Sequence, residues 1–144
     1  KKVLTVPDID RGTSLLEKFR NELGTKAATY REINPHLNVH AVYKSNKYIN
    51  ERERVIFTRL RLSSHNLNIE RGRWSRVDRE NRLCECGQAV QDESHILLDC
   101  PKTNNIRTQF QVNRERHDNI GHLMNNLDMF QLVRFINCAM NEFT

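Results

Sequence analysis

No run of consecutive apolar residues in this 144-residue sequence exceeds three, whereas a helix needs roughly 20 to cross a bilayer. A membrane-spanning helix is therefore excluded, and no membrane partner is expected. The chain starts at Lys1, with no initiator Met and no apolar stretch of the secretory kind. It is accordingly read as a fragment of a larger, intracellular protein. Internal repeats, low-complexity tracts and obvious linkers are missing too, and the length suits a single domain. A His-Glu-x-x-His signature is absent: His36 and His40 lie four apart without the carboxylate that a zinc protease needs, and they are given no role. Apolar payload is also short, with 28% charged residues and a mean hydropathy of −0.72. A chain of this kind gains from a staple such as a bound metal.

What is present begins with charge. Lys and Arg number 23 against 18 Asp and Glu, a formal net charge of +5. This balance suits a polyanionic partner without demanding one. The distribution is more informative: Arg71, Arg73, Arg76, Arg79 and Arg82 surround Gly72 and Trp74, and only Glu70, Asp78 and Glu80 offset them. Residues 63 to 83 show no clean period and are read as extended chain or loop.

Elsewhere the periodicity is helical, and the fold class is mainly α. Ser14 and Glu17 form a capping-box pattern that opens a helix over 14 to 23. Residues 25 to 49 suit short helices or turns. Asn50 and Glu53 cap a second helix over 51 to 62, with acids in its first turn and Arg59 and Arg61 in its last, matching the helix dipole. On that helix Ile49, Arg52, Val55, Ile56 and Leu60 are expected to pack, leaving Arg54, Thr58 and Arg61 on a basic outer side. A closing helix is capped by Asp128 with Gln131, stapled by Leu127 and Leu132, and apolar along Met129, Leu132, Val133, Ile136 and Met140. The chain divides into a basic helical part (1–82), a knuckle (83–117) and the closing helix (118–144).

Cys84, Cys86, His95 and Cys100 place three thiols and an imidazole within seventeen positions. Zinc takes four tetrahedral nitrogen and sulfur ligands in structural sites, supplied by two close cysteines on a turn and a second pair on a later element. One residue between the first cysteines is tighter than most hooks, but Gly87 lets the chain turn sharply after them. His95 and Cys100, five apart, would point about 140° away from each other on a regular helix. Pro101 supplies the necessary break by pushing Cys100 out of the α region. Four protein ligands leave no open position for an activated water, so the expected zinc is single and structural. The alternatives are ordinary buried thiols with a satisfied histidine, or a disulfide between Cys84 and Cys86. Cys138 is read as a small hydrophobe in an apolar helix, and His65, His117 and His122 as surface or packing residues.

The order of motifs carries a resemblance. Thr58-Arg-Leu-Arg-Leu-Ser-Ser-His65 is followed by Ile69-Glu-Arg-Gly-Arg-Trp74, then Arg82-Leu-Cys-Glu-Cys-Gly87 and Asp92-Glu-Ser-His-Ile-Leu-Leu-Asp-Cys-Pro101. This succession resembles the C-terminal, CCHC-type zinc-knuckle region of non-LTR retrotransposon reverse transcriptases over about residues 28 to 143, most specifically over 58 to 101. In that family the first two cysteines often have two residues between them and sometimes one, and this chain has the shorter form. The resemblance implies zinc on Cys84, Cys86, His95 and Cys100, a nuclear location, and a parent RNA-directed DNA polymerase that copies RNA at a nicked chromosomal target. It also implies that this segment helps to hold template RNA or target DNA. No Tyr-x-Asp-Asp motif and no nuclease carboxylate cluster occur, so the fragment itself is expected not to be an enzyme.

On the nucleic-acid reading, Arg54, Arg59, Arg61, Arg71, Arg73, Arg76, Arg79 and Arg82 neutralise phosphates while Trp74 stacks on an unpaired base. The competing view is a charged, solvated face with Trp74 in the core. A second function class is a structural or protein-interaction module bracing the polymerase thumb or a partner subunit. A metal-dependent nuclease, the third, lacks both an open metal position and clear carboxylates.

Overall fold

A computed structural model describes residues 27–44 and 49–143. The helix expected over 14 to 23 lies outside them. The described chain is mainly helical, and its only β pairing is an isolated antiparallel bridge between Leu83 and Val90. Six α-helices occur in the described residues: α1 (Ala28–Ile33), α2 (Glu51–Arg61), α3 (Asn68–Trp74), α4 (Asn104–Phe110), α5 (Ile120–Asn126) and α6 (Met129–Asn141). None is long and apolar enough to cross a membrane.

Helix α6 is the spine. Asp128 accepts backbone hydrogen bonds from Phe130 and Gln131, both at 3.2 Å, fixing its start. From there Leu132, Val133, Phe135, Ile136, Ala139 and Met140 are buried, a helical stripe wide enough to face several neighbours. It packs on α2, on α4 and on the segment preceding Cys100. Phe110 meets Phe135 with ring centroids 5.7 Å apart. Each such side chain contributes about 1.5–3 kcal/mol on full burial. Cys138 is exposed, so it is not the small core hydrophobe the apolar helix suggested; Ala139 occupies the core instead.

Helix α2 begins with the expected capping box: Asn50 Oδ1 accepts from Glu53 N at 2.8 Å and Asn50 N donates to Glu53 Oε2 at 3.4 Å. Its packed face holds Ile49, Ile56 and Leu60 as anticipated, with two departures. Phe57, Leu60 and Arg61 are buried while Arg52 is exposed. Arg61, expected on the basic outer side, is only 5% exposed and lies over Tyr30, Tyr43 and Phe57, its guanidinium carbon 5.8, 5.6 and 5.6 Å from the three ring centroids. The planar cation lies over Phe57 one turn earlier on α2 and over two tyrosine rings that arrive from elsewhere in the chain, which helical periodicity alone does not reveal.

The remaining helices close around this pair. Helix α1 crosses α5 so tightly that a Cβ on Gly121 would come within 2.5 Å of the Glu32 carbonyl oxygen. Asn125 of α5 donates to the Ile33 carbonyl at 3.0 Å across the same contact. Between α1 and α2, His40 accepts from Val42 N at 3.1 Å, and its other ring nitrogen lies 3.2 Å from the Met124 carbonyl. A single apolar core runs from Ile33 to Met140.

Residues 63 to 83 depart most from expectation. They carry helix α3 and a 3-10 turn at Arg79–Asn81 rather than an extended loop. No side chain at the start of α3 caps it. The cap comes from Gln91, whose Oε1 accepts from Asn68 N at 2.7 Å and whose backbone oxygen accepts from Ile69 N at 3.1 Å. A helix whose first N–H groups are satisfied by a residue over twenty positions away has no local start signal.

Candidate metal centre

Two unrelated turns bring the four predicted ligands together. The first is a tight hairpin: Cys84 N donates to the Ala89 carbonyl at 2.8 Å, Gly87 N to the Cys84 carbonyl at 2.9 Å, and Gln91 N to the Arg82 carbonyl at 2.9 Å. Gly87 has φ +74°, the left-handed conformation that glycine enters without a side-chain penalty. Both thiols of the hairpin thus face one side.

The second turn is a π-helical segment, His95–Asp99. Cys100 N bonds to the His95 carbonyl at 2.8 Å, the i to i+5 pattern of a widened turn. Widening brings residues five apart onto one side, where a regular helix would have separated them. The turn stops at Cys100, whose ψ of 131° lies outside the α region as the following Pro101 requires. Asp92 Oδ1 accepts from His95 N at 2.8 Å and fixes its start.

The four ligand atoms lie within 4.8 Å of one another and could hold one metal ion. Cys84 Sγ and Cys100 Sγ are 3.7 Å apart, and Cys86 Sγ is 3.2 Å from His95 Nε2. A tetrahedron with metal–sulfur bonds of about 2.3 Å has edges of about 3.8 Å, so the sulfur pair already stands at ligand spacing. All three cysteines are free thiols, and the suggested Cys84–Cys86 disulfide is not formed. Around them Gln91 Nε2 lies 3.7 Å from Cys84 Sγ, and Gln88 N donates to Cys86 Sγ at 3.5 Å.

Burial sets the protonation of the cluster. It pushes the Cys100 thiol up to about 11, and it lowers the His95 imidazole against the opposing pull of Asp92 and Asp99. Burial also raises Cys86, but hydrogen bonds from the backbone of Gln88 and from the neighbouring thiols outweigh it and leave this thiol below its ordinary value. A neutral imidazole is ready to ligate, whereas Cys100 must give up its proton when an ion binds.

No protein-family model, curated protein or solved structure matches the chain.

Beside the cluster the arginines part company. Trp74 is 80% exposed at the end of α3, so it is not a core residue. Arg71, Arg76 and Arg79 are exposed with it, as is Arg59 on α2. Of these Arg79 also reaches Asp92, at 3.2 Å. The others are engaged by the fold itself. Arg54 pairs with Glu51 at 3.5 Å, and Arg73 with the buried Glu70 at 3.3 Å. Arg82 lies across α3 over Gly72, donating to the Val77 and Ile69 carbonyls at 2.9 Å each. A Cβ on Gly72 would come within 2.5 Å of that side chain. Arg61 is buried away from this surface. Arg71 and Arg82 line one shallow groove with Val77 and Leu83, while Arg73, Arg79 and Arg82 line a second cleft that also contains Glu70, Asp92 and Glu93.

Several supporting residues went unread in the sequence. Glu93 is buried and accepts from His65 Nε2 at 2.7 Å, Ser63 Oγ at 2.9 Å and Thr29 Oγ1 at 3.3 Å. Burial alone would raise its carboxyl, but the hydrogen bond and charge of His65, with Ser63, hold it below the usual range. Thr103 Oγ1 donates to the Ile96 carbonyl at 2.6 Å and accepts from the buried Arg107 at 2.7 Å, bracing the far side of the π turn. These partners are separated by up to 64 positions, which no local pattern discloses.

Proposed function

We propose that this chain is the zinc-bearing nucleic-acid-binding accessory domain of a retroelement reverse transcriptase, helping to hold template RNA or target DNA in the nucleus. Zinc is the ion that a closed set of three thiolates and one imidazole suits, and a filled shell assigns it structure rather than catalysis. The observation carrying the nucleic-acid reading is the 80% exposure of Trp74 beside exposed Arg71, Arg76 and Arg79. An exposed indole among guanidinium groups suits a single strand or a structured RNA, with a base stacked on the ring and phosphates met by the cations. Of the arginines named from the sequence, this reading retains Arg59, Arg71, Arg76 and Arg79 as contacts.

A second reading is supported by the arginines that the fold consumes. Arg73, Arg82 and Arg61 contact this chain's own carboxylate, carbonyls and rings. Such use favours a structural module bracing the rest of a polymerase or a partner subunit.

Trp74 is the only tryptophan, so intrinsic fluorescence reports its surroundings directly. The expected result is saturable quenching by single-stranded RNA or DNA, with a log-log salt slope of about −2 if three phosphates are met at about 0.7 each. Quenching that is absent, or an affinity indifferent to salt, rejects the nucleic-acid reading in favour of the interaction module.

A further inference from the structure

Away from the metal and from Trp74, Arg61 is a cation with no carboxylate beside it among the described residues. It is only 5% exposed, and its Nε has no hydrogen-bond partner among those residues. Rings of Tyr30, Tyr43 and Phe57 surround the guanidinium but supply no acceptor. This side chain lines a cavity of about 370 Å³ between α1, the turn at residues 41–43 and α5, and no Asp or Glu lines it. Much of the neutral polar wall is spent on the fold. Asn34 donates to Tyr30 Oη and the Asn38 carbonyl, Asn125 to the Ile33 and Gly121 carbonyls, and the His40 ring serves Val42 N and the Met124 carbonyl. The Nε is buried as well as unpartnered, and the cavity meets the guanidinium where Arg61 lines its wall. Its charge is felt across the pocket, since it adds to the burial that lowers the His40 imidazole.

We propose that this cavity is a docking site for a protein segment that presents one carboxylate between apolar side chains. The planar guanidinium matches a carboxylate through two parallel N–H bonds, and one cation matches one negative charge. Apolar flanks are assigned from the surroundings: Leu37 is 47% exposed and Val39 63%, with Pro35 and Ala41 in the wall. A multiply charged phosphate would find no second cation among the lining residues other than the ring of His36 or His40. Polar rim, apolar contact and one desolvated ion pair describe a small anchored peptide site. This proposal stands independently of the basic face around Trp74.

The test is an NMR titration of the full chain, at fixed ionic strength, with a capped Leu-Asp-Leu tripeptide, its Leu-Asn-Leu counterpart and inorganic phosphate as separate probes. The Arg61 Nε–H resonance and the amides of residues 34 to 41 are expected to shift saturably with the Asp peptide and at least tenfold more weakly with the Asn peptide. In Arg61→Gln the shifts at 34 to 41 should vanish; if that variant fails to fold, the two-peptide comparison on the native chain decides alone. Equal responses to both peptides, or no response at all, overturn the proposal. Tighter saturation by phosphate than by the Asp peptide also overturns it and reassigns the cavity to a phosphate group.

Discussion

The knuckle at residues 84 to 100 and the α2–α6 core achieve order by opposite means. In the knuckle four side chains within seventeen positions converge on one point, and apart from Ile96, Leu97 and Leu98, which the widened turn gives to the core, the segment buries little apolar surface. In the core, Phe57, Leu60, Leu132, Phe135 and Ile136 come from distant stretches and share the stabilisation among many contacts. The first kind of order is all-or-none in its ligand; the second degrades by increments. Glu93, bonded to Ser63, His65 and Thr29 two residues before His95, joins one to the other.

The strongest way to break the contrast is to remove one ligand. Cys86→Ser, or chelation, should cost most of the binding free energy of the ion, on the order of 10 kcal/mol for structural zinc in isolated peptides. Metal analysis should then show no stoichiometric ion, and hydrogen exchange should rise first over residues 68 to 100. A folded Cys86→Ser chain retaining one ion per molecule would remove Cys86 from the ligand set. Next in size is Phe135→Ala, expected to cost about 3–5 kcal/mol in denaturant unfolding. Its ion content should be unchanged, because Phe135 supplies no ligand atom.

Smaller effects probe the joint between the two regions. Glu93 has a folded pKa below its unfolded value of about 4.3, so its contribution is complete above that value and is lost as pH falls through the depressed one. Glu93→Gln should flatten this acid limb of stability and cost about 1–3 kcal/mol at neutral pH by weakening a buried hydrogen-bond set. An unaltered acid profile would show that the His65–Glu93 contact contributes no pH dependence. Least of all, Arg71→Ala and Arg76→Ala should each change stability by no more than about 0.5 kcal/mol, while lowering the nucleic-acid salt slope by about 0.7 apiece. A stability loss well above that figure would place these arginines with Arg82 among the residues the fold consumes.

The molecule is legible in its sequence where the determinants are local. Cys84, Cys86, His95 and Cys100 announce themselves by type and spacing, and Pro101 and Gly87 explain how the backbone meets the need. The caps at Asn50 and Asp128 similarly place the starts of α2 and α6, although the stretch 118 to 144 read as one closing helix holds both α5 and α6. Legibility ends where partners lie far apart. Helix α3 starts on Gln91, so residues 63 to 83 carry no helix signal of their own. Arg61 lies over Tyr30 and Tyr43, so the buried side of α2 takes in a cation that periodicity placed outside. Cys138 shares a helix with core residues but falls on the solvent side, a difference of one position from Ala139.

Gln91 is the residue through which the hairpin and α3 are joined. Its side-chain oxygen holds Asn68 N, its side-chain nitrogen approaches the Cys84 thiol, its carbonyl holds Ile69 N and its N–H meets the Arg82 carbonyl. One residue therefore ties the thiol cluster to the helix bearing Trp74. A glutamate at this position would keep the acceptor but replace the donor facing sulfur with a negative charge. Substituting Gln91 should therefore disturb the hairpin and the start of α3 together.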